Sequence, residues 1–450
     1  MLETLERPRF PTNIYVSLRS FLHSPLALLL LASLVIRIVV VFVVGTPTPE
    51  HENIVSHDDV RYDILAWHLA QGKGYINSFG IAEAKDPPLL PIALAPVYVL
   101  FGHSYQAARI FLIALVCVSV AALYWLTMEL FDRRAAVATG ILAAVYPDLV
   151  SYSGLTLTES LYIPTLALAL VGFAKGVKTG HSLPFVLSGL LFGCASLTRP
   201  EAIAVPVILA LAVAIFVAQP FPRRVRNSVL IVGASFVVIC PWTIRNAVQL
   251  HAFLPVSAGS GIAFYVGSYL PWSGLDIRGG ESIYAQPFFQ NLFRGRSTVD
   301  ADQYLMHVAI EQIKQHPLGY IRLIPRKLYY LFRSTDSNGI YAGHGKLLLI
   351  KAGIEALYIV ILTLIVCGIV RALWRPHPLV LLYLVVPGYL TLIHVLTIPA
   401  ARYAFPIVSL LLPFGGLTLA YVRQRLRGST RQSGAAPTRT FETPAHVSRR

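Results

Sequence analysis

The segment HDDVRYDILAWHLAQGKGY, beginning at His57, sets two adjacent carboxylates, Asp58 and Asp59, at the start of a helix-forming run. Ser56 and Asp59 have capping-box spacing, and Val60 to Leu69 suit a short helix whose apolar side can lie on a bilayer. Two readings of the pair stand side by side. The acids either complement the helix dipole or take part in chemistry at the membrane face. A second acidic string, YPDLVSYSGLTLTESLY, carries Asp148 and Glu159, the latter preceded by Thr156 and Thr158 in a good helix N-terminal arrangement. Four cations complete the set: Lys85, Arg199, Arg245 and Arg402. Each is either a headgroup anchor or an anion ligand, and phosphate is the natural anion for such groups. Gly72-Lys-Gly74-Tyr75 is a turn signal, too generic for a phosphate loop.

The elements that must hold these groups are membrane helices. Of 450 residues, 55% are hydrophobic and only 13% charged, with mean hydropathy +0.63. Soluble domains carry about 25% charged residues, so the composition excludes a soluble enzyme and a disordered chain. A spanning helix needs about 20 mostly apolar residues. Ten segments approach that: 25–44, 105–126, 135–150, 157–174, 183–198, 201–218, 228–244, 347–370, 379–397 and 403–421, of which the third, fifth and seventh are short.

The charges orient them. Arg7, Arg9 and Arg19 precede the first segment. Arg133 and Arg134, Lys175 and Lys178, Arg223, Arg224 and Arg226, and Arg371 and Arg375 fall in every second loop, and Arg423, Arg425 and Arg427 follow the last segment. With ten spans these cations share one side, which places both termini in the cytoplasm of a cell-membrane protein. The acids up to residue 250 that matter here, including Asp58, Asp59, Asp148, Glu159 and Glu201, then face outward. Pro87 to Phe101 is apolar but short and holds Pro87, Pro88, Pro91 and Pro96, so it is read as a helix in the outer interface. Counting it as a span would invert every later loop. The first 25 residues hold no signal-peptide pattern with a small-residue cleavage site, so the first apolar run is expected to stay as an anchor.

The net charge of +15 follows this loop pattern and the tails, so no nucleic-acid partner is implied. Cys117, Cys194, Cys240 and Cys367 lie in apolar stretches without zinc or disulfide spacing. Arg37, inside the first apolar run, reads as a snorkelling or helix-paired arginine before a substrate contact. No internal repeat is evident.

The chain divides into a cytoplasmic N-terminus (1–24), an N-terminal transmembrane catalytic module (25–245) with an outer loop at 45–104, a large outer segment (246–346), C-terminal transmembrane helices (347–421) and a disordered basic tail (422–450). In the outer segment, Tyr304 to Ile313 has helical periodicity ended by His316-Pro317. The following GYIRLIPRKLYYLFR, with Arg322, Arg326, Lys327 and Arg333, reads as an interfacial amphipathic helix, with donor-phosphate binding as the sharper alternative.

These strings, in this order, resemble the GT-C superfamily of membrane glycosyltransferases, in particular bacterial relatives of dolichyl-phosphate-mannose protein mannosyltransferase and of aminoarabinose transferase. The resemblance rests on Asp58-Asp59 with Tyr62, Leu69 and Gly72-Lys-Gly74-Tyr75; Pro87-Pro88-Leu-Leu-Pro91; Thr158-Glu159; Leu197-Thr-Arg-Pro-Glu201; Pro241-Trp-Thr-Ile-Arg-Asn246; His316-Pro317 with Lys327; and Arg402-Tyr403 with Pro406. The family often has a basic residue directly before the proline pair, whereas here Asp86 separates Lys85 from Pro87.

The resemblance implies an all-α polytopic membrane protein, GT-C-like, with about ten transmembrane helices and outer-face interfacial helices. It implies a polyprenyl-phosphate sugar donor, a glycan, lipid or protein acceptor, Asp58 and Asp59 as catalytic acids, and Glu159, Asp148 and Tyr62 toward acceptor or sugar. Lys85, Arg245 and Arg402 take the donor phosphate. Neither a metal nor another cofactor is expected, although Asp58, Asp59 and Glu159 would suit a divalent ion if they converged. A secondary transporter, which needs charges near span centres and usually a repeat, and a lipid-linked glycan polymerase or ligase are the alternatives.

Overall fold

In a membrane every backbone polar group must be satisfied within the protein, so the apolar runs become helices. The computed structural model describes residues 24–45, 57–217, 219–278, 281–294, 296–333 and 348–433. All ten apolar segments coincide with helices, and seven of those helices among the described residues are long and apolar enough to cross a membrane.

The first is α1 (Pro25–Ile38), continued by a π-helical turn to Gly45. The outer loop supplies α2 (His57–Ala70) and α3 (Leu89–Phe101). Then come α4 (Tyr105–Leu130), α5 (Arg133–Val145), the short α6 (Pro147–Ser151), α7 (Glu159–Thr179) and α8 (Ser182–Thr198). A 3-10 turn (Pro200–Ala204) leads into α9 (Val205–Phe216), and α10 is Phe221–Leu250. The outer segment holds α11 (Ser260–Ser268), α12 (Pro287–Leu292), α13 (Thr298–Gln315) and α14 (Pro317–Leu331). It also holds a two-residue antiparallel pair, Ile277–Arg278 with Glu281–Ser282. The bundle closes with α15 (Leu348–Trp374), α16 (Pro378–Leu396) and α17 (Ala401–Ser433).

Several expectations change. The seventh segment, read as short, is the 30-residue α10, while the sixth is broken at Pro200–Ala204 and leaves a 12-residue helix. The third and fifth are short, at 13 and 17 residues. The last helix runs to Ser433, into the stretch read as tail. Residues 434–450, like Arg7, Arg9, Arg19 and Ser56 of the proposed capping box, lie outside the described residues.

Helix α2 does not turn its apolar side to lipid. Tyr62 packs with Leu90, Leu112 and Leu161, and Ala66 with Leu94, Tyr98 and Ala108, so α2 lies on α3, α4 and the start of α7. Asp63, 1% exposed, ties the same face down by accepting from the Tyr98 hydroxyl and meeting His103 Nε2 at 2.7 Å. Arg37 is buried in α1 and donates to the carbonyls of Ala143 and Ala144 at 3.2 and 3.3 Å, and to Ser33 Oγ at 2.6 Å. It is therefore a helix-paired arginine at the carbonyl end of α5, where the dipole favours a cation.

Close helix contact depends on small residues, as in other membrane bundles. Gly189 and Gly193 of α8, one turn apart, both face α10: a Cβ on Gly189 would stand 2.4 Å from the Ile231 carbonyl oxygen, and one on Gly193 2.8 Å from that of Ser235. Gly189→Leu is expected to lower thermal stability by about 1–3 kcal/mol, as overpacking does. Gly233→Leu, on the open side of α10, should leave it nearly unchanged. Equal unfolding midpoints for the two variants would refute this account of the interface.

Candidate active site

Successive helices run between the same two ends of the bundle, and one end gathers the ionised groups. The first turn of α2, the N-terminus of α7, the C-terminus of α8 and the N-terminus of α17 meet there. Arg402 is the junction. Its Nη1 lies 2.9 Å from Asp58 Oδ2, and its Nε 2.7 Å from Glu159 Oε1. From this centre an alternating chain of charge extends both ways. On one side Asp58 meets Arg61 at 2.7 Å, and Arg61 meets Asp86 at 2.7 and 3.0 Å. On the other, Glu159 meets Arg199 at 2.8 Å, and Arg199 meets Glu201 at 2.5 Å.

Each carboxylate is thus bounded by guanidinium groups, the condition under which buried charge is tolerated. Aromatic rings floor the site. The Arg199 guanidinium sits 4.9 Å from the Tyr403 ring centre, and His394 stacks on the same ring at 4.7 Å.

Accessibility differs along the chain. Glu159 is 1% exposed at its side chain, Asp58 37%. Asp58 is therefore the carboxylate an incoming molecule reaches first. Desolvation would raise its pKa, but Arg402, Arg61 and Lys85 outweigh that and hold it well below the usual carboxylate range. Asp59 behaves oppositely. It is buried, its Oδ1 accepts from the Val60 amide at 2.9 Å, and burial raises its pKa despite that bond. Its side chain serves the start of α2, as an acidic first-turn residue does.

The remaining sequence-derived residues are dispersed. Tyr62 lies in the apolar contact beneath α2, where burial drives its phenol pKa well up. Asp148 accepts from the Tyr146 hydroxyl at 2.6 Å, beside Tyr358. Lys85 is exposed and adds its positive charge to the surroundings of Asp58. Arg245 donates to the carbonyls of Glu83 and Tyr75 at 2.8 and 3.0 Å and lies over Trp242 at 4.8 Å, so it clamps α10 to the first outer loop. Asp58, Asp59 and Glu159 do not converge as an ion-binding trio: Arg402 stands between Asp58 and Glu159, and no group of three or more His, Cys, Asp or Glu is gathered among the described residues.

Sequence reasoning gave Arg61 no role, noted Asp86 only as the residue separating Lys85 from the prolines, and read Arg199 as a headgroup anchor or anion ligand and Glu201 as an outward acid, without pairing any of them. The displaced Lys85 was the available signal. Asp86, between it and the prolines, is 4% exposed and takes Arg61, so the insertion supplies a countercharge. The outer segment reaches over the same site, with Tyr284 close enough to feel Asp58, Arg61 and Tyr403.

In α14, Arg322 and Arg326 are exposed but Lys327 is fully buried, its Nζ 3.0 Å from the Gly267 carbonyl oxygen and 5.2 Å from the Tyr320 ring centre. Burial lowers its pKa to about 7. A lowered lysine pKa means that between pH 7 and the unfolded value near 10.5 the unfolded chain holds the extra proton, so stability rises with pH across that window. Relative to Lys327→Met, which removes the titration, the wild type is expected to gain stability from pH 7 to 10 and to show no trend below 7. Parallel melting curves over the whole range would disprove this.

Taken together, these elements define a multi-pass membrane protein with an ion-paired polar site at one end of a helical bundle. Residues 85–244 match the family described as dolichyl-phosphate-mannose-protein mannosyltransferase. The fold is similar to that of the archaeal oligosaccharyltransferase AglB from Archaeoglobus fulgidus, solved with an inhibitory peptide and a dolichol-phosphate. That likeness has TM-score 0.56 at 15% identity and covers 94% of this chain and 53% of that one. The chain thus spans about half the length of the oligosaccharyltransferase. ArnT from Cupriavidus metallidurans, solved bound to undecaprenyl phosphate, aligns at TM-score 0.42 and 16% identity over 96% of this chain and 82% of that one. Among curated proteins no sequence matches.

Proposed function

We propose that this protein transfers a sugar from a polyprenyl-phosphate donor to an acceptor at the outer face of the cell membrane, with both termini cytoplasmic. The observation that carries the reading is Arg402 bridging a reachable carboxylate, Asp58, and a buried one, Glu159. The fold's likeness to a structure that holds a dolichol-phosphate supports the donor class.

In this mechanism Asp58 accepts the proton of the acceptor hydroxyl. The hydroxyl oxygen attacks the anomeric carbon as the bond to the phosphate oxygen breaks, and the electron pair leaves on the polyprenyl phosphate. One in-line step inverts the configuration. Arginine suits the departing phosphate because its planar donors match the oxygens in pairs. Arg402 links the two events. When a phosphate draws on its guanidinium, Asp58 loses part of the cationic field that suppresses its basicity. Glu159, fixed by Arg199, keeps Arg402 aimed at the site, and Lys85 stands at its exposed edge. Transport is the weaker reading, since the charges gather at helix ends and Arg37 is engaged by carbonyls.

The test is mass spectrometry of envelope lipids, glycans and glycoproteins from cells lacking the gene, with and without complementation. One sugar is expected to vanish on deletion and return with the wild-type chain. An unchanged profile would overturn the transferase reading. Transfer is expected to continue after thorough chelation, and its restoration only by an added divalent ion would revise the metal-free mechanism.

A further inference from the structure

The bundle end remote from the Asp58 site carries a different electrostatic pattern. Here the end of α4, the end of α15, the start of α16 and the later turns of α17 enclose a cavity of about 810 Å³. That lies within the range of about 300–1,000 Å³ typical of ligand sites. Arg371, Arg375 and Arg425 line it with His377, and among the described residues no carboxylate does. At the Asp58 end Arg61, Arg199 and Arg402 all meet carboxylates. Among the described residues Arg371, Arg375 and Arg425 form no ion pair. The acids closest in sequence are engaged elsewhere: Glu129 holds Lys178 at 3.0 Å, and Asp132 accepts from the Ala135 amide at 2.8 Å.

Aromatic contact arranges the cations instead. Arg371 lies 3.8 Å from the Tyr421 ring centre and Arg425 5.3 Å from it, with Arg425 Nε donating to the Tyr421 hydroxyl at 2.9 Å. Arg371 lies in the last turn of α15 and Arg375 directly after its end, while Tyr421 and Arg425 are one turn apart on α17, so cations reach the cavity from two neighbouring helices. The other walls are apolar, formed by Phe131, Val380 and Leu417. Trp374, 84% exposed beside the opening, has the amphipathic ring that settles at headgroup depth.

We propose that this cavity is a binding site for an anionic glycerophospholipid of the leaflet opposite the Asp58 site. The phosphodiester sits among the three guanidinium groups, and the first acyl carbons lie on Phe131, Val380 and Leu417. A zwitterionic lipid presents the same phosphate but brings an ammonium into a site where no described residue offers an acid to receive it. The proposal does not depend on the transferase reading, because none of these residues belongs to that site.

Native mass spectrometry of the full chain in a neutral detergent tests it, with phosphatidylglycerol and phosphatidylcholine of identical acyl chains as probes. Phosphatidylglycerol is expected to be retained at least about tenfold better, because the choline ammonium of phosphatidylcholine is repelled by the three guanidinium groups that hold the phosphate. The preference should vanish in Arg371→Gln/Arg425→Gln. Leu417→Trp, which fills the cavity and keeps every cation, should also abolish retention, and it keeps the test decisive if the double variant misfolds. Equal retention of the two lipids overturns the proposal. Retention by Leu417→Trp at wild-type level overturns it too, since the cations would then act as a surface field. Displacement of the lipid by millimolar inorganic phosphate would assign the cavity to a free anion.

Discussion

Asp58→Asn is expected to lower sugar transfer by about a hundredfold or more, the usual cost of losing a positioned general base. The substitution keeps the shape but only one acceptor oxygen, so one of the contacts to Arg61 and Arg402 persists in weakened form and the other is lost, while the packing of Tyr62 and Ala66 should keep α2 in place. The loss should appear in kcat, with KM for the donor changed far less, because the proton is taken only as the acceptor attacks. Purified protein with a defined polyprenyl-phosphate sugar and acceptor is the appropriate assay, with gel-filtration and melting behaviour confirming the fold. Wild-type turnover by a folded Asp58→Asn protein would remove the general-base assignment. Asp59→Asn provides the contrast: its side chain is directed at the Val60 amide, so it is expected to change stability more than turnover.

Arg402→Gln has the largest expected structural effect. It removes the cation between Asp58 and Glu159, leaving Glu159, 1% exposed, to Arg199 alone. Breaking such a buried pair from one side costs about 3–5 kcal/mol because the remaining charge stays in a poorly solvated place. Glu159→Gln in the same chain removes the stranded charge, so Arg402→Gln/Glu159→Gln should be more stable than the sum of the single changes by about 0.5–3 kcal/mol. Melting of the four proteins in one detergent measures this coupling, and strict additivity would show that the two residues do not share an energetic unit. Activity should not recover in the double variant, because the guanidinium is missing however stable the helices become.

The sequence alone determined the helical membrane architecture, since long apolar runs have no other way to satisfy their backbone in lipid. It also singled out Asp58, Glu159 and Arg402, because ionised residues are rare in this composition and their positions at the ends of apolar runs are visible. It left the pairing open. Asp58 and Arg402 are 344 residues apart, Glu159 and Arg402 243, and no local spacing encodes contacts of that range.

Periodicity likewise could not tell a protein-facing helix from a lipid-facing one, because both present an apolar stripe. Helix α2 was therefore read as resting on the bilayer, when Tyr62 and Ala66 pack on α3, α4 and α7. The same limit hid the burial of Lys327, which turns inward to Gly267 while Arg326 and Leu328 on either side of it are exposed. Which charge neutralises which, and whether a cation meets a carboxylate, a carbonyl or an aromatic ring, was decided by helix packing. Electrostatic energy depends on distance and burial, and those exist only once the helices have assembled.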